Sequence, residues 1–135
     1  MSPPPPAPPS LLIIDDEPII LETTRWAFET IGFQVYTAAS GQEGLRCFRA
    51  AHPQILLIDF KLPGMTGGEF LRAAKAIDPS ILAIMITGLS HQTELIETEC
   101  QELGAFAFLR KPLRTEEVLQ TVQEALKSKS RGGSS

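Results

Sequence analysis

The sequence predicts an α/β fold: a doubly wound, five-stranded parallel sheet in strand order 2-1-3-4-5, with helices on both faces. Three observations predict it. Strand and helix patterns alternate five times between residues 11 and 129, as crossover helices over a parallel sheet require. The strands are short continuous apolar runs, such as Leu11-Leu12-Ile13-Ile14 and Ile55-Leu56-Leu57-Ile58, the pattern of strands buried on both faces. Four of these runs lead into chemistry: Asp15-Asp16-Glu17, Asp59, Thr87-Gly88 and Lys111-Pro112. Right-handed crossovers leave few topologies for five strands. The order 2-1-3-4-5 sets the carboxyl ends of strands one, three and four side by side, where open α/β sheets bind ligands.

Each element has its own signal. Met1 to Ser10 holds six prolines in ten residues, so this stretch is expected to be a disordered polyproline leader that joins no sheet or helix. The first strand is Leu11–Ile14. The first helix opens at Pro18, a favoured first-turn residue, and closes at Gly32, with Ile20, Thr24, Ala27, Phe28 and Ile31 facing inward. Gln34–Ala38 is the second strand. Ser40 and Glu43 form a capping box for the second helix, which presents Gly44, Leu45 and Phe48. Ile55–Asp59 is the third strand, and residues 62–68 form a loop of turn residues. The third helix shows Phe70, Leu71, Ala74 and Ile77 at helical spacing and ends at Asp78-Pro79. The fourth strand covers Ile81–Thr87. The fourth helix runs from about Gln92 to Leu103, buries Ile96, Cys100 and Leu103, and is closed by Gly104. Ala105–Leu109 is the fifth strand. The fifth helix follows Thr115 as N-cap, with Glu116 and Glu117 on its dipole and Val118, Leu119, Val122, Ala125 and Leu126 as its stripe. One domain over residues 11–129 is expected, followed by a flexible Gly/Ser tail over 130–135.

The bulk numbers agree with one globular domain. The chain has 135 residues, 43% of them apolar and 21% charged, enough for one well-buried core. A net charge of −4 argues against direct binding of nucleic acid. Nothing in the sequence resembles a membrane span or secretory signal. Cys47 and Cys100 match no metal or redox spacing and read as packed free thiols of a reducing cytoplasm. His52 and His91 read as solvated surface residues.

The strand ends carry the functional argument. Two unit charges a few ångströms apart repel by about 1 kcal/mol in water and about 4 kcal/mol at an effective dielectric of 20. Asp15, Asp16 and Asp59 gathered in one place therefore call for a cation. An all-oxygen set on loops suits Mg²⁺, and the absence of His or Cys there argues against zinc. A carboxylate beside such an ion can attack phosphorus and form an acyl phosphate. The transfer then needs positive charge and hydrogen-bond donors around the moving oxygens, which Lys111 and the Thr87 hydroxyl would supply.

Four segments together carry a resemblance. They are Leu12-Ile13-Ile14-Asp15-Asp16-Glu17-Pro18, Leu57-Ile58-Asp59-Phe60-Lys61-Leu62-Pro63-Gly64-Met65-Thr66-Gly67, Ile86-Thr87-Gly88 and Gly104-Ala105-Phe106-Ala107-Phe108-Leu109-Arg110-Lys111-Pro112. In order and placement the chain resembles the receiver domains of two-component response regulators, which share the flavodoxin-like, CheY-like topology, from about Leu11 to Lys127. The resemblance implies that Asp59 accepts a phosphoryl group from a phosphohistidine of a sensor histidine kinase or phosphotransfer protein. It implies that Asp16 binds Mg²⁺ directly, Asp15 largely through water and Lys61 through its backbone carbonyl. Thr87 would bond the phosphoryl group, Lys111 would pair with it, and the Lys111-Pro112 bond would be cis. Phe108 would be the switch aromatic that turns inward as Thr87 moves.

Some positions depart from the commonest pattern. Phe108 lacks the hydroxyl of a tyrosine, Lys61 sets a long cation at the rim, and Leu89 is apolar two residues after Thr87. The last two are expected to set the lifetime of the acyl phosphate.

Other readings fit less well. A haloacid-dehalogenase-like phosphatase would carry a second Asp two residues after its nucleophile, where this chain has Lys61. A flavin site would place phosphate against Asp15-Asp16-Glu17, which repel it. A receiver fold working without phosphorylation would have no use for the intact acceptor, acids, hydroxyl and amine. The chain is thus expected to be a phospho-acceptor that catalyses its own Mg²⁺-dependent phosphorylation and dephosphorylation, not an enzyme on a separate substrate. Its output is expected through the face of the fourth helix, fifth strand and fifth helix, toward an effector protein or a missing output domain, as a monomer or a phosphorylation-dependent dimer. Glu94, Glu97, Glu99 and Glu102 make that face partly acidic and favour a basic partner.

Overall fold

The computed structural model describes residues 7–88 and 93–132. The expected positions of Leu89 and His91, the start of the fourth helix at Gln92, and the two chain ends lie outside them. Five parallel strands form the main sheet: β1 (Ser10–Ile14), β2 (Gln34–Ala38), β3 (Ile55–Asp59), β6 (Leu82–Thr87) and β7 (Ala107–Arg110). Their order is β2-β1-β3-β6-β7, which is 2-1-3-4-5 once the small hairpin β4 (Lys61–Leu62) with β5 (Met65–Thr66) is set aside. The helices are α1 (Pro18–Thr30), α2 (Gly41–Ala51), α3 (Gly67–Ile77), α4 (Thr93–Glu102) and α5 (Thr115–Gly132).

Alternation along the strands splits the core into two layers. Leu12, Ile14, Leu56, Ile58, Ala83 and Met85 face α2, α3 and α4 through Phe48, Phe70, Leu71, Ala74 and Cys100. Leu11, Ile13, Ile55, Leu57, Ile84 and Ile86 face α1 and α5 through Phe28, Val118, Val122 and Ala125. All four apolar residues Ile55–Ile58 of the central strand are fully buried. Burying each such side chain is worth about 1.5–3 kcal/mol, so β3 is a rigid base for the residue at its end.

Two glycines close helices as the sequence predicts. At Gly32 (φ +95) the amide donates to Glu29 O at 3.0 Å, and the Phe33 amide donates to Phe28 O at 3.0 Å. This is the paired bonding of a Schellman turn, with its usual apolar contact: the Phe28 and Phe33 rings meet edge-on, centroids 5.0 Å apart. Gly104 (φ +94) repeats the turn, with Gly104 N to Gln101 O and Ala105 N to Cys100 O, both at 3.0 Å. Ser40 Oγ accepts from Glu43 N at 3.2 Å, while Glu43 Oε2 accepts from Ala39 N at 3.3 Å. The box therefore closes on the residue before the cap.

Several expectations change. Ser10 joins the sheet, paired with Gln34, and Pro9 O accepts from Gln34 N at 2.8 Å. The ladder here uses the Pro9 carbonyl, which a proline still offers, while the Ser10 amide donates to Gln54 Oε1 at 3.4 Å. Ile31 and Ile77 are not core residues but 46% and 41% exposed. Ile31 caps a helix that ends at Thr30, and Ile77 is the last residue of α3, so neither holds the helical phase that would turn it inward. The fifth strand starts at Ala107: the Gly104 turn consumes the Ala105 amide, and the Phe106 amide makes the lead-in bond to Ala83 O at 2.8 Å. α5 continues to Gly132, three residues into the expected tail. Among the described residues, no helix is long and apolar enough to cross a membrane.

Candidate functional site

The parallel ladder delivers its side chains to one edge. Asp15 follows β1, where its amide donates to Ala38 O at 3.1 Å. Asp59 ends β3 opposite Ile86 of β6, so Thr87 lies one residue beyond that pair. Lys111 follows β7, and its amide donates to Thr87 O at 2.9 Å. The next peptide bond, Lys111-Pro112, is cis. Three of these polar residues are almost wholly buried: Asp15 at 0%, Asp59 at 3% and Thr87 at 1% exposure.

Lys111 reaches across them. Its Nζ lies 3.0 Å from Asp59 Oδ2 and 3.3 Å from Asp15 Oδ2, and it also contacts the Glu17 carboxylate. The remaining oxygens are held by backbone. Asp59 Oδ1 accepts from Lys61 N at 3.1 Å, and Asp15 Oδ1 accepts from Glu17 N at 2.8 Å. Among the described residues the buried Thr87 Oγ1 has no hydrogen-bond partner, and Asp15 Oδ2 has only the ion pair with Lys111. Buried polar atoms without partners are rare in native folds and call for an explanation.

The charges respond to this crowding. The Asp15 carboxyl is pushed up to about 6, chiefly by burial; the Glu17 amide and Lys111 oppose this and the Asp59 charge adds to it. Burial works against the charged form of Lys111. Hydrogen bonds to Glu17 and Asp59 and the charges of Asp59 and Asp15 outweigh it, so the ammonium sits above the ordinary lysine range.

The structure thus brings Asp15, Asp59 and Lys111 into direct contact. Asp16 and Lys61 are exposed, with Lys61 touching the site through its backbone amide. Phe108 is half-buried on β7 beside Met85 and packs against the α2–α3–α4 layer. The sequence reading missed Glu17. Carboxylate oxygens of Asp15, Glu17 and Asp59 lie within 4.8 Å of one another, an all-oxygen set suited to a hard divalent cation. Asp15 Oδ2, buried and held among the described residues only by the Lys111 ion pair, fits such a guest. Beside the site, between α1 and the start of α5, lies an apolar groove of about 510 Å³ lined by residues including Ile20, Ala27, Phe28, Leu113 and Val118.

Comparison with known proteins agrees with this geometry. The family profile of the response regulator receiver domain matches residues 11–123. The chain belongs to this family. As a receiver domain it is 35% identical over 103 residues to sporulation initiation phosphotransferase F of Bacillus subtilis, covering 76% of this chain and 82% of that protein. It is 30% identical over 106 residues to the regulatory protein AtoC of Escherichia coli, where 77% of this chain matches 22% of the longer protein. Its fold superimposes on a CheY-like response regulator receiver domain protein from Methanospirillum hungatei with a TM-score of 0.85 at 31% identity, covering 92% of this chain and 98% of that one. Receiver domains serve two-component signalling.

Proposed function

We propose that this receiver accepts a phosphoryl group on Asp59 from a phosphohistidine of a sensor histidine kinase or phosphotransfer protein. One observation carries the reading: a buried carboxylate 3.0 Å from an ammonium, with the buried Thr87 Oγ1 at the next strand end left without a hydrogen-bond partner among the described residues. Among the described residues nothing bonds Thr87 Oγ1, whereas a phosphoryl oxygen would.

In the transfer an Asp59 carboxylate oxygen attacks phosphorus, the P–N bond to the donor imidazole breaks, and its electron pair stays on the imidazole. Asp59 becomes an acyl phosphate. Lys111 compensates the negative charge of the transferred group, and the Thr87 hydroxyl donates to one of its oxygens. Asp15, Asp16, Asp59 and the Lys61 carbonyl would hold Mg²⁺, which when bound supplies positive charge to the phosphoryl oxygens. The Lys61 amide keeps Asp59 Oδ1 oriented at 3.1 Å.

The switch follows from the same contacts. A Thr87 hydroxyl drawn toward the new phosphate vacates space that Phe108, half-buried on the next strand, can enter, repacking α4, β7 and α5. That face carries exposed Leu95 and Phe106 and exposed Glu94 and Glu102, while Glu97 is paired with Arg110 at 3.1 Å. A basic effector surface, an output domain or a second phosphorylated copy would suit it, in a cytoplasmic relay. Incubation with Mg²⁺ and acetyl phosphate should add one acid-stable, hydroxylamine-labile phosphate, absent from Asp59→Asn. Labelling of the Asn variant at the same level would refute the assignment.

A further inference from the structure

We propose that Glu17 is a positioning residue for Lys111: it tethers the ammonium at the rim of the site and remains its partner when Asp15 and Asp59 are engaged elsewhere. This rests on the phospho-acceptor reading of Asp59.

The three carboxylates around Lys111 are not equivalent. The Asp15 and Asp59 side chains are 0% and 5% exposed, Lys111 is 22% exposed and Glu17 is 52% exposed. Lys111 therefore spans from the floor of the site to its mouth, and among the described residues Glu17 alone meets it from the solvent side. The backbone of Glu17 is anchored there. Its amide donates to Asp15 Oδ1 at 2.8 Å, and its carbonyl accepts from Ile20 N and Leu21 N at 3.1 and 3.3 Å. It occupies the N-cap of α1, yet its side chain makes no cap hydrogen bond. The short side chains favoured at an N-cap turn back onto the helix amides; the longer Glu17 is free of that duty and reaches Lys111.

The pair ties the start of α1 to the loop before α5. Both residues also line the apolar groove beside the site, so the tether forms the wall between groove and acceptor. Its purpose is geometric. With partners on the floor alone, the ammonium would stay between Asp15 and Asp59, where it occupies the nucleophile and repels a cation. Held from above, it can leave both and still overhang Asp59.

A rival role, Glu17 as a third carboxylate for the cation, makes the opposite prediction for Lys111, because a cation would then strip Glu17 away. The test is acetylation of lysines in the native protein, read by mass spectrometry, with Lys61 and Lys75 as internal references. In wild type, Lys111 should stay slow to react with or without Mg²⁺. In Glu17→Gln with Mg²⁺ its relative rate should rise about 2–5-fold, the scale of losing one partly exposed ion-pair partner. Loss of protection in wild type on adding Mg²⁺, or unchanged protection in Glu17→Gln, would overturn the tether. Asp59 phosphorylation is measured separately with acetyl phosphate, so failure of the tether and failure of the acceptor reading give different results.

Discussion

Lys111 Nζ stands 3.0 Å from Asp59 Oδ2, although their strands, β7 and β3, are separated in the sheet by β6. The contact spans a strand because a long side chain leaves one strand end and a short one waits at the other. Replacing Lys111 by Met should leave the carboxylates of Asp15, Glu17 and Asp59 facing one another. Without metal, urea unfolding should show a loss of about 3–5 kcal/mol, the range for stripping one partner from a buried ion pair. Saturating Mg²⁺ should restore part of that loss by binding the folded form alone. A variant as stable as wild type in EDTA would show that Lys111 does not neutralise the cluster.

Asp15 gives a pH dependence with a definite sign. Its carboxyl lies near 6 against an ordinary 3.8, mainly through burial. A group whose folded pKa is raised favours the fold most when protonated, and this contribution is lost as pH rises through about 6. In EDTA, Asp15→Asn should therefore gain on wild type as pH rises from 4 to 7.5, by about 1–3 kcal/mol. Unfolding curves at the two pH values give the comparison, and a stability gap independent of pH would contradict the shift.

Gly67 is a place where only hydrogen fits. A Cβ there would lie 2.7 Å from Asp59 O, 2.8 Å from Phe60 Cα and 2.6 Å from Met85 Cε. Two of those atoms are backbone of the segment that bears the acceptor. Gly67→Ala should cost about 1–3 kcal/mol through overpacking and slow labelling of Asp59. At Gly68 the nearest atom is the tip of Glu99 at 3.3 Å, so Gly68→Ala should be tolerated. Equal behaviour of the two variants in thermal melts would argue against this close approach.

The cysteines should differ in reactivity. Burial, with Glu99 adding to it, pushes the Cys100 thiol up to about 11, and the side chain is fully buried. Cys47 is partly exposed and raised above its ordinary value, again mainly by burial and then by Glu43. A thiol reagent at pH 8 should modify Cys47 slowly and reach Cys100 only on unfolding. Rapid modification of both in the native protein would mean that α4 opens readily.

How far the sequence could be read follows from what kind of signal each residue gives. Asp15, Asp59 and Thr87 each follow an unbroken apolar run, Lys111 follows one after a single Arg110, and parallel pairing obliges such ends to gather. Their meeting was therefore predictable from order alone. Glu17 was not, because its position depends on where Lys111 lies after a crossover of more than ninety residues. The β4–β5 hairpin escaped because two-residue strands have no periodicity. Ile31 and Ile77 misled because helical spacing says nothing about the turn at which a helix stops. Ser10 misled because a proline run argues against a place in the sheet, whereas the ladder there needs only the Pro9 carbonyl.

The most direct test is chemical location of the phosphoryl group. Protein treated with Mg²⁺ and acetyl phosphate is reduced with borohydride, which converts an aspartyl phosphate to homoserine, and digested for peptide sequencing. The expected result is homoserine at position 59 and at no other aspartate. Homoserine at Asp15 or Asp16, or unmodified aspartate at all three, would contradict Asp59 as the acceptor.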